Sequence, residues 1–414
     1  MDIPTSTILI LIAATILVAA LVWVVARSVP RTRGILKAET ARLDSPTRRS
    51  AATLLAGWGT AAGWALGAGI AVYLASRVAA GIWLRARNDA DLGPYNEATE
   101  ENHQGFMACQ RLPETSPGAT ETEVQHCMDA LGEAPIGPPE VNEAWPILIG
   151  WISPMAAALL ALALLALLLA RRRSSAAGEP AVHSAALRPR GIMSFGPRWA
   201  LAIPGVASLL LFGLLVATGL NSSPDNWGRF TQLVVPRNGS AASPSGGYEL
   251  PLTPGTESAL FPGWFFGVPI IVAALALLLS AGILLRSLAQ APRPMDPSIL
   301  EIDDLVRTLK AKFVAGVSGA GLLTALGSMG IHTGGAMLTL AGDVRQVEGQ
   351  AEFFYHDSML SGVYLAVAGL LFWVLAILML VLAFAAVVEL VAARSLAVAV
   401  ALDEEPQGSA SPTP

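Results

Sequence analysis

Seven long apolar stretches, separated by segments whose charge alternates in sign, constrain this chain more than any other feature. They run over about 7–26, 52–76, 147–170, 199–220, 264–285, 314–337 and 360–388. Crossing a ~30 Å hydrocarbon core as a helix takes ~20 apolar residues, and these stretches are of that length. Each run is continuous rather than alternating, so it predicts a helix and not a strand of a membrane barrel. The chain is 53% hydrophobic and 14% charged, whereas a soluble domain carries about 25% charged residues. The expectation is an all-α integral membrane protein: a seven-transmembrane-helix bundle over 1–402, followed by a flexible tail at 403–414. The second, sixth and seventh runs exceed one crossing and leave room for tilt or projection.

The first stretch does not read as a signal peptide. Its flank, MDIPTST, has no Lys or Arg, and its positive charges follow the run at Arg27, Arg31 and Arg33. A signal peptide has the reverse order and a small-residue cleavage site. Basic residues then set the orientation. Arg27, Arg31, Arg33, Lys37, Arg42, Arg48 and Arg49 lie in one inter-span segment, and Arg171, Arg172, Arg173, Arg188, Arg190 and Arg198 in another. Arg286, Arg293, Arg307, Lys310 and Lys312 lie in a third, and Arg394 follows the last span. The segment 86–146 has only Arg87 and Arg111 against twelve carboxylates. A seven-span chain puts every basic segment on one side. The N-terminus is therefore expected outside and the C-terminus in the cytoplasm of a bacterial plasma membrane, bacterial because Ala and Arg are abundant while Lys occurs only three times.

Three segments then face outward: about 86–146, 221–263 and 338–359. The first holds the only cysteines, Cys109 and Cys127. A cysteine pair on the oxidising side predicts a disulfide, with about 3 kcal/mol of restraint on the loop in a chain-entropy picture. The alternative is zinc, with His103 and His126 beside the cysteines, but the spacing matches no usual zinc pattern. The second segment is rich in Pro, Gly, Ser and Asn and reads as irregular, with a short strand at FTQLVV. The third gathers Glu348, Glu352, His356 and Asp357, with His332 near the outer end of the sixth span. Glu348, Glu352 and His356 repeat every four residues and share one face of a helix. His332, Glu352, His356 and Asp357 are thus the candidates for an outer metal or proton site. The plainer alternative is a solvated acidic extension of the seventh span.

The centres of the spans carry no Asp, Glu, Lys or Arg, which argues against a carrier coupled to a buried carboxylate. The seventh span has no lysine for a Schiff base, which argues against a retinal protein. Glycine is the notable intramembrane residue. Gly59, Gly63 and Gly67 recur at every fourth position of the second span, and Gly330 and Gly334 share that spacing in the sixth. Such spacing lets two backbones approach closely, within one chain or between two copies. Residues 297–312 read as an amphipathic helix on the inner membrane surface that leads into the sixth span, its acids first and bases last, with a partner-binding helix as the alternative. Pro154 and Arg171 repeat the spacing of Pro269 and Arg286, and Gly205 and Gly213 match Gly319 and Gly327 in offset. These matches raise a duplicated two-helix unit.

No nucleotide-binding, metalloprotease or nucleophile-elbow motif is present. A net charge of −5 offers no basic surface for nucleic acid. No cofactor is expected, and the bilayer is the first partner, with envelope proteins and a second copy of the chain as further ones. The leading expectation is a non-enzymatic envelope scaffold, sensor or accessory subunit that acts through its outer loops. The alternatives are a transporter or permease for an uncharged or lipid-like substrate, and a membrane enzyme with an outer-face metal site.

Overall fold

Apolar length becomes helix length in this protein. The computed structural model describes residues 34, 58–110, 126–127, 144–175, 198–237, 240–242, 249–251, 255–291, 300–343 and 356–403. Among them, six helices are long and apolar enough to cross a membrane. They are α1 (Trp58–Gln110), α2 (Ala144–Ser175), α3 (Arg198–Leu220), α4 (Trp264–Gln290), α5 (Leu300–Asp343) and α6 (His356–Asp403). The expected first span at 7–26 and the tail beyond 403 lie outside the described residues. The chain divides into two units, Leu74–Gly150 and the remainder.

In the larger unit, side-chain contacts order the helices antiparallel in turn. Gly59 at the start of α1 meets Val391 near the end of α6. Trp151 of α2 meets Phe266 of α4 and His332 of α5. One end of this unit carries Arg198, Arg286, Arg307, Lys310 and Lys312 and is here the basic end. The other carries a small sheet and is the sheet end.

Helix α5 is the centre of the unit, with 78% of its apolar window buried against 17–44% for the others. Its contact with α6 is backbone on backbone. A Cβ at Gly334 would lie 2.5 Å from the Gly362 carbonyl oxygen, and one at Gly369 would lie 2.7 Å from that of Gly327. In lipid, where apolar burial gives helices no reason to associate, such close van der Waals approach is a main attraction. Gly330 also faces α6, through Leu365 and Gly369. Gly59 and Gly63 of α1 face α6 through Val391 and Val387, while Gly67 has nothing within 4 Å of its would-be Cβ. The matched offsets of α3 and α5 do not share surroundings: Gly205 and Gly213 have open space, whereas Gly319 and Gly327 press on Met379 and Trp373.

The amphipathic segment expected as a lead-in to the sixth span is, from Leu300 on, the first part of α5. Ile302, Val306 and Leu309 are buried and continue in phase into Phe313 and Val317. With the apolar stripe in register and no Gly or Pro at the junction, one helix buries more surface than two. Arg307 fastens it to α4. Its Nε donates to Asp303 Oδ2 at 2.7 Å, and its Nη1 donates to the Leu288 and Ala291 carbonyls at 2.9 Å. Those carbonyls end a helix and lack intrahelical donors.

The segment between α3 and α4 departs from an all-helical reading. It forms strands β1 (Ser223–Pro224), β2 (Phe230–Arg237), β3 (Ser240–Ala242), β4 (Glu249–Pro251) and β5 (Gly255–Leu260). One antiparallel sheet has the order β1-β2-β5, and β3 pairs with β4 in a second. Gln232 pairs with Leu260 and Val235 with Glu257. The FTQLVV strand is present, and its partner is the unpatterned GTESAL.

In the smaller unit, α1 continues to Gln110 through much of what reads as an outer loop. Cys109 in its last turn is disulfide-bonded to Cys127, with Cα atoms 5.7 Å apart. The Arg77 guanidinium lies against Gly150, where a Cβ would be 2.7 Å from Nη1.

Candidate functional site

The sheet end holds the most organised polar structure among the described residues, built on the turn Pro224-Asp225-Asn226-Trp227-Gly228-Arg229. The Asp225 carboxylate is its hub. Oδ1 accepts the Trp227 and Arg229 backbone amides at 2.9 and 2.8 Å. Oδ2 accepts Arg229 Nε at 2.8 Å and the Thr231 hydroxyl at 2.9 Å. An aspartate bonded to its own backbone two residues on is a standard way to close a turn. Gly228 sits at φ +73°, where a Cβ would be strained. Burial pushes the Asp225 carboxyl pKa up, but the Arg229 and Thr231 hydrogen bonds and the Arg229 charge outweigh it, and the pKa lies below the usual value.

The same turn presents an aromatic surface. The Arg229 guanidinium lies 4.5 Å from the Trp227 ring centroid and 5.4 Å from that of Phe265 at the start of α4. Trp227 is 51% exposed. Gly263 lets α4 begin against the sheet, since a Cβ there would collide with the Phe230 carbonyl and with Ser222. The turn is therefore carried between α3 and α4, two helices long and apolar enough to cross a membrane, with little slack.

The candidate metal residues are placed as follows. His332 is exposed at the sheet end of α5, its ring edge-on to Trp151 at 4.8 Å. His356 and Asp357 lie in the first turn of α6, and their side chains are outside the described residues. Glu348 and Glu352 are outside them altogether. Among the described residues, no three His, Cys, Asp or Glu side chains gather as a metal site would require.

Two cavities complete the geometry. One of about 170 Å³ lies among the middles of α1, α2, α5 and α6. Small residues open it, including Gly69, Ala157, Ala320 and Gly321, with Tyr73 and Thr324 as polar edges. The other, of about 410 Å³, lies among α3, α5, α6 and the inner face of β2. Asp225, Arg229 and the second cavity were not among the residues singled out from sequence. The Asp-Asn-x-Gly turn was a readable signal for the first two, whereas a cavity between distant helices has no sequence signature. Compared with protein-family models, curated proteins and solved structures, the chain finds no match in any of the three.

Proposed function

We propose that this chain is a non-enzymatic membrane component of a bacterial cell envelope: a scaffold, sensor or accessory subunit acting through its extracytoplasmic segments. The observation that carries this reading is the turn at Asp225. It holds an exposed tryptophan over a part-buried ion pair, on a sheet fastened to α3 and α4. A rigid aromatic anchor costs little conformational entropy on docking, and tryptophan is enriched among residues that dominate interfaces. The Lys and Arg bias of the opposite end supports a cytoplasmic location for that end, and so an extracytoplasmic one for the sheet. With a seventh span at 7–26, the N-terminus is outside.

The test is a photo-crosslinking residue at position 227 in intact cells. A discrete protein adduct that Asp225→Ala abolishes is expected, because that change unfastens the turn. The same probe at Leu209, 71% exposed along α3, is expected to give lipid adducts only. Lipid adducts alone at position 227 would instead make Trp227 an interfacial membrane anchor and overturn the docking reading.

The mid-span cavity favours a second reading, a transporter or permease for an uncharged or lipid-like substrate. Its wall is apolar and carries no charged side chain, which suits an apolar ligand. Reconstituted vesicles test it: accelerated flux of an uncharged lipid tracer, blocked by Gly69→Leu, is the expected result. Flux equal to that of empty vesicles would remove this reading.

A further inference from the structure

The arginines of the basic end are of two kinds. Arg307 is buried and directs its donors to Asp303 and to the Leu288 and Ala291 carbonyls. Arg198, which opens α3, and Arg286, near the end of α4, are exposed. Among the described residues neither of these two makes a hydrogen bond or an ion pair. No Asp or Glu lies on α3 or α4 to answer them.

Helix register sets Arg198 and Arg286 side by side. Helices α3 and α4 are antiparallel, with Gly219 against Trp264 and Leu215 beside Gly267. Extended along both helices, that register puts Arg198 level with residues 284–285, within two residues of Arg286. A turn of about 100° per residue then fixes the side. Ile203 of α3 and Leu277 of α4 meet α5, at Gly319 and Gly321. Arg198, Gly205 and Leu209 share the opposite face of α3, and Arg286, Gly282 and Leu275 share that of α4. All six are exposed. The two rows border one groove between α3 and α4, on the side away from α5. Neighbouring helix axes lie about 8–10 Å apart, so an anion between the rows is within reach of both guanidiniums. Gly205 and Gly282 lie one or two turns further in, and a Cβ on either would meet nothing within 4 Å. A glycine on each wall leaves a slot wide enough for a chain of methylenes. Leu209 and Leu275, 71% and 51% exposed, continue it as apolar surface. Trp199 beside Arg198 is 60% exposed, and tryptophan gathers at the headgroup level of a bilayer.

We propose that this groove binds an anionic phospholipid of the leaflet at the basic end. Its phosphate is held between the Arg198 and Arg286 guanidiniums, and one acyl chain lies over Gly205 and Gly282. A guanidinium offers phosphate two parallel donors, and basic pockets between membrane helices are a known setting for anionic headgroups. A zwitterionic headgroup would bring an ammonium toward the same two cations, with no carboxylate on α3 or α4 to receive it. The charge of the groove thus selects a lipid that lacks the ammonium. A lipid seated there clamps α3 to α4 at the end away from the sheet. The site stands whether or not Trp227 meets a protein partner.

The experiment compares phosphatidylglycerol with phosphatidylcholine of identical acyl chains. Purified full-length protein in detergent is titrated with each, and bound lipid is counted by native mass spectrometry. Wild type is expected to favour phosphatidylglycerol by about fivefold to tenfold. Arg198→Gln and Arg286→Gln are each expected to weaken phosphatidylglycerol by about fivefold, the effect of one cation near a headgroup, and to narrow the preference. Arg85→Gln removes an exposed arginine of the smaller unit and is expected to change nothing. Gly205→Leu combined with Gly282→Leu fills the slot from both walls without a clash. It is expected to weaken both lipids alike, by about tenfold, as burial of roughly two methylenes is lost. Equal binding of the two lipids by wild type overturns the proposal. So does a loss in Arg85→Gln as large as that in Arg286→Gln, which would make the attraction one of diffuse charge. Unchanged binding in the double glycine variant overturns it as well, since the chain would then lie elsewhere.

Discussion

The two ends of this protein use the same pair of residues at the same spacing for opposite tasks. At the sheet end Asp225 and Arg229 form an ion pair at 2.8 Å, and at the basic end Asp303 and Arg307 form one at 2.7 Å. In the first, the acid is the hub: it gathers two backbone amides and a hydroxyl, closing a turn. In the second, the base is the hub: its guanidinium gathers two carbonyls that end α4. Spacing alone therefore does not say what an Asp–Arg pair does. The backbone around it decides which partner has unsatisfied groups to serve, since helix ends leave carbonyls and tight turns leave amides.

The largest effect is expected at the basic end. Arg307 is 4% exposed in its side chain and Asp303 11%. Arg307→Met removes the cation, strands Asp303 and leaves two carbonyls without donors. Breaking one partner of a buried pair costs about 3–5 kcal/mol. The melting temperature in detergent should fall sharply, with hydrogen exchange rising over 300–310 while the turn amides at 227 and 229 stay protected. The double change Asp303→Leu with Arg307→Met should recover much of the loss, because apolar replacement of a buried pair is often neutral. Equal loss in the single and double variants would mean that the carbonyls, not the charge, dominate.

Asp225→Ala should come next, at about 2–3 kcal/mol, as charge-assisted hydrogen bonds are lost and two amides lose their acceptor. The loss should be local, appearing in Trp227 fluorescence and in exchange at 227 and 229, with the basic end unmoved. A global loss as large as that of Arg307→Met would make the turn part of the main folding unit and erase the contrast.

Acid offers a way to perturb the sheet end without mutation. The native pKa of Asp225 lies below its unfolded value, so the turn's ionic stability is present in full above the unfolded pKa. It is lost as pH falls through the lowered native pKa. Trp227 fluorescence should thus hold constant from neutrality down into the ordinary carboxylate range and change only below it. Asp225→Asn should abolish that transition. A transition near neutrality would point to a group other than Asp225.

These contrasts also mark what was legible in the chain. Six of the seven expected apolar helices were readable because a 20-residue apolar run is long enough to cross a bilayer as a helix, and the disulfide because Cys109 and Cys127 are the only cysteines. Helix ends were not, since continuation of α1 to Gln110 and fusion of 300–312 onto α5 depend on what each segment packs against. The sheet was half legible: FTQLVV is rich in β-branched and aromatic residues, whereas GTESAL gains its strand state by pairing with it. The glycine stripes were visible, but the face each one meets, α6 for Gly330 and Gly334 and open space for Gly67, is a property of the bundle. His332 stood out by type, yet its ring neighbour Trp151 comes from another helix.

The smallest predicted effect separates the roles of charge and hydroxyl within the sheet end. Thr231 is 2% exposed, and its hydroxyl donates to Asp225 Oδ2 at 2.9 Å. Thr231→Val keeps the branched side chain that β2 favours and deletes that donor. The carboxylate keeps Arg229 and both amides, so the cost should be about 1 kcal/mol, the net value of a single hydrogen bond. The Asp225 pKa should move up toward the ordinary carboxylate value, and the acid transition of Trp227 fluorescence should move up with it. If stability falls while the transition stays fixed, Thr231 serves packing alone and Arg229 alone sets the charge state of the turn. If both move, the hub is a three-way network, and the sheet end differs from the basic end in how its charge is held as well as in which partner does the gathering.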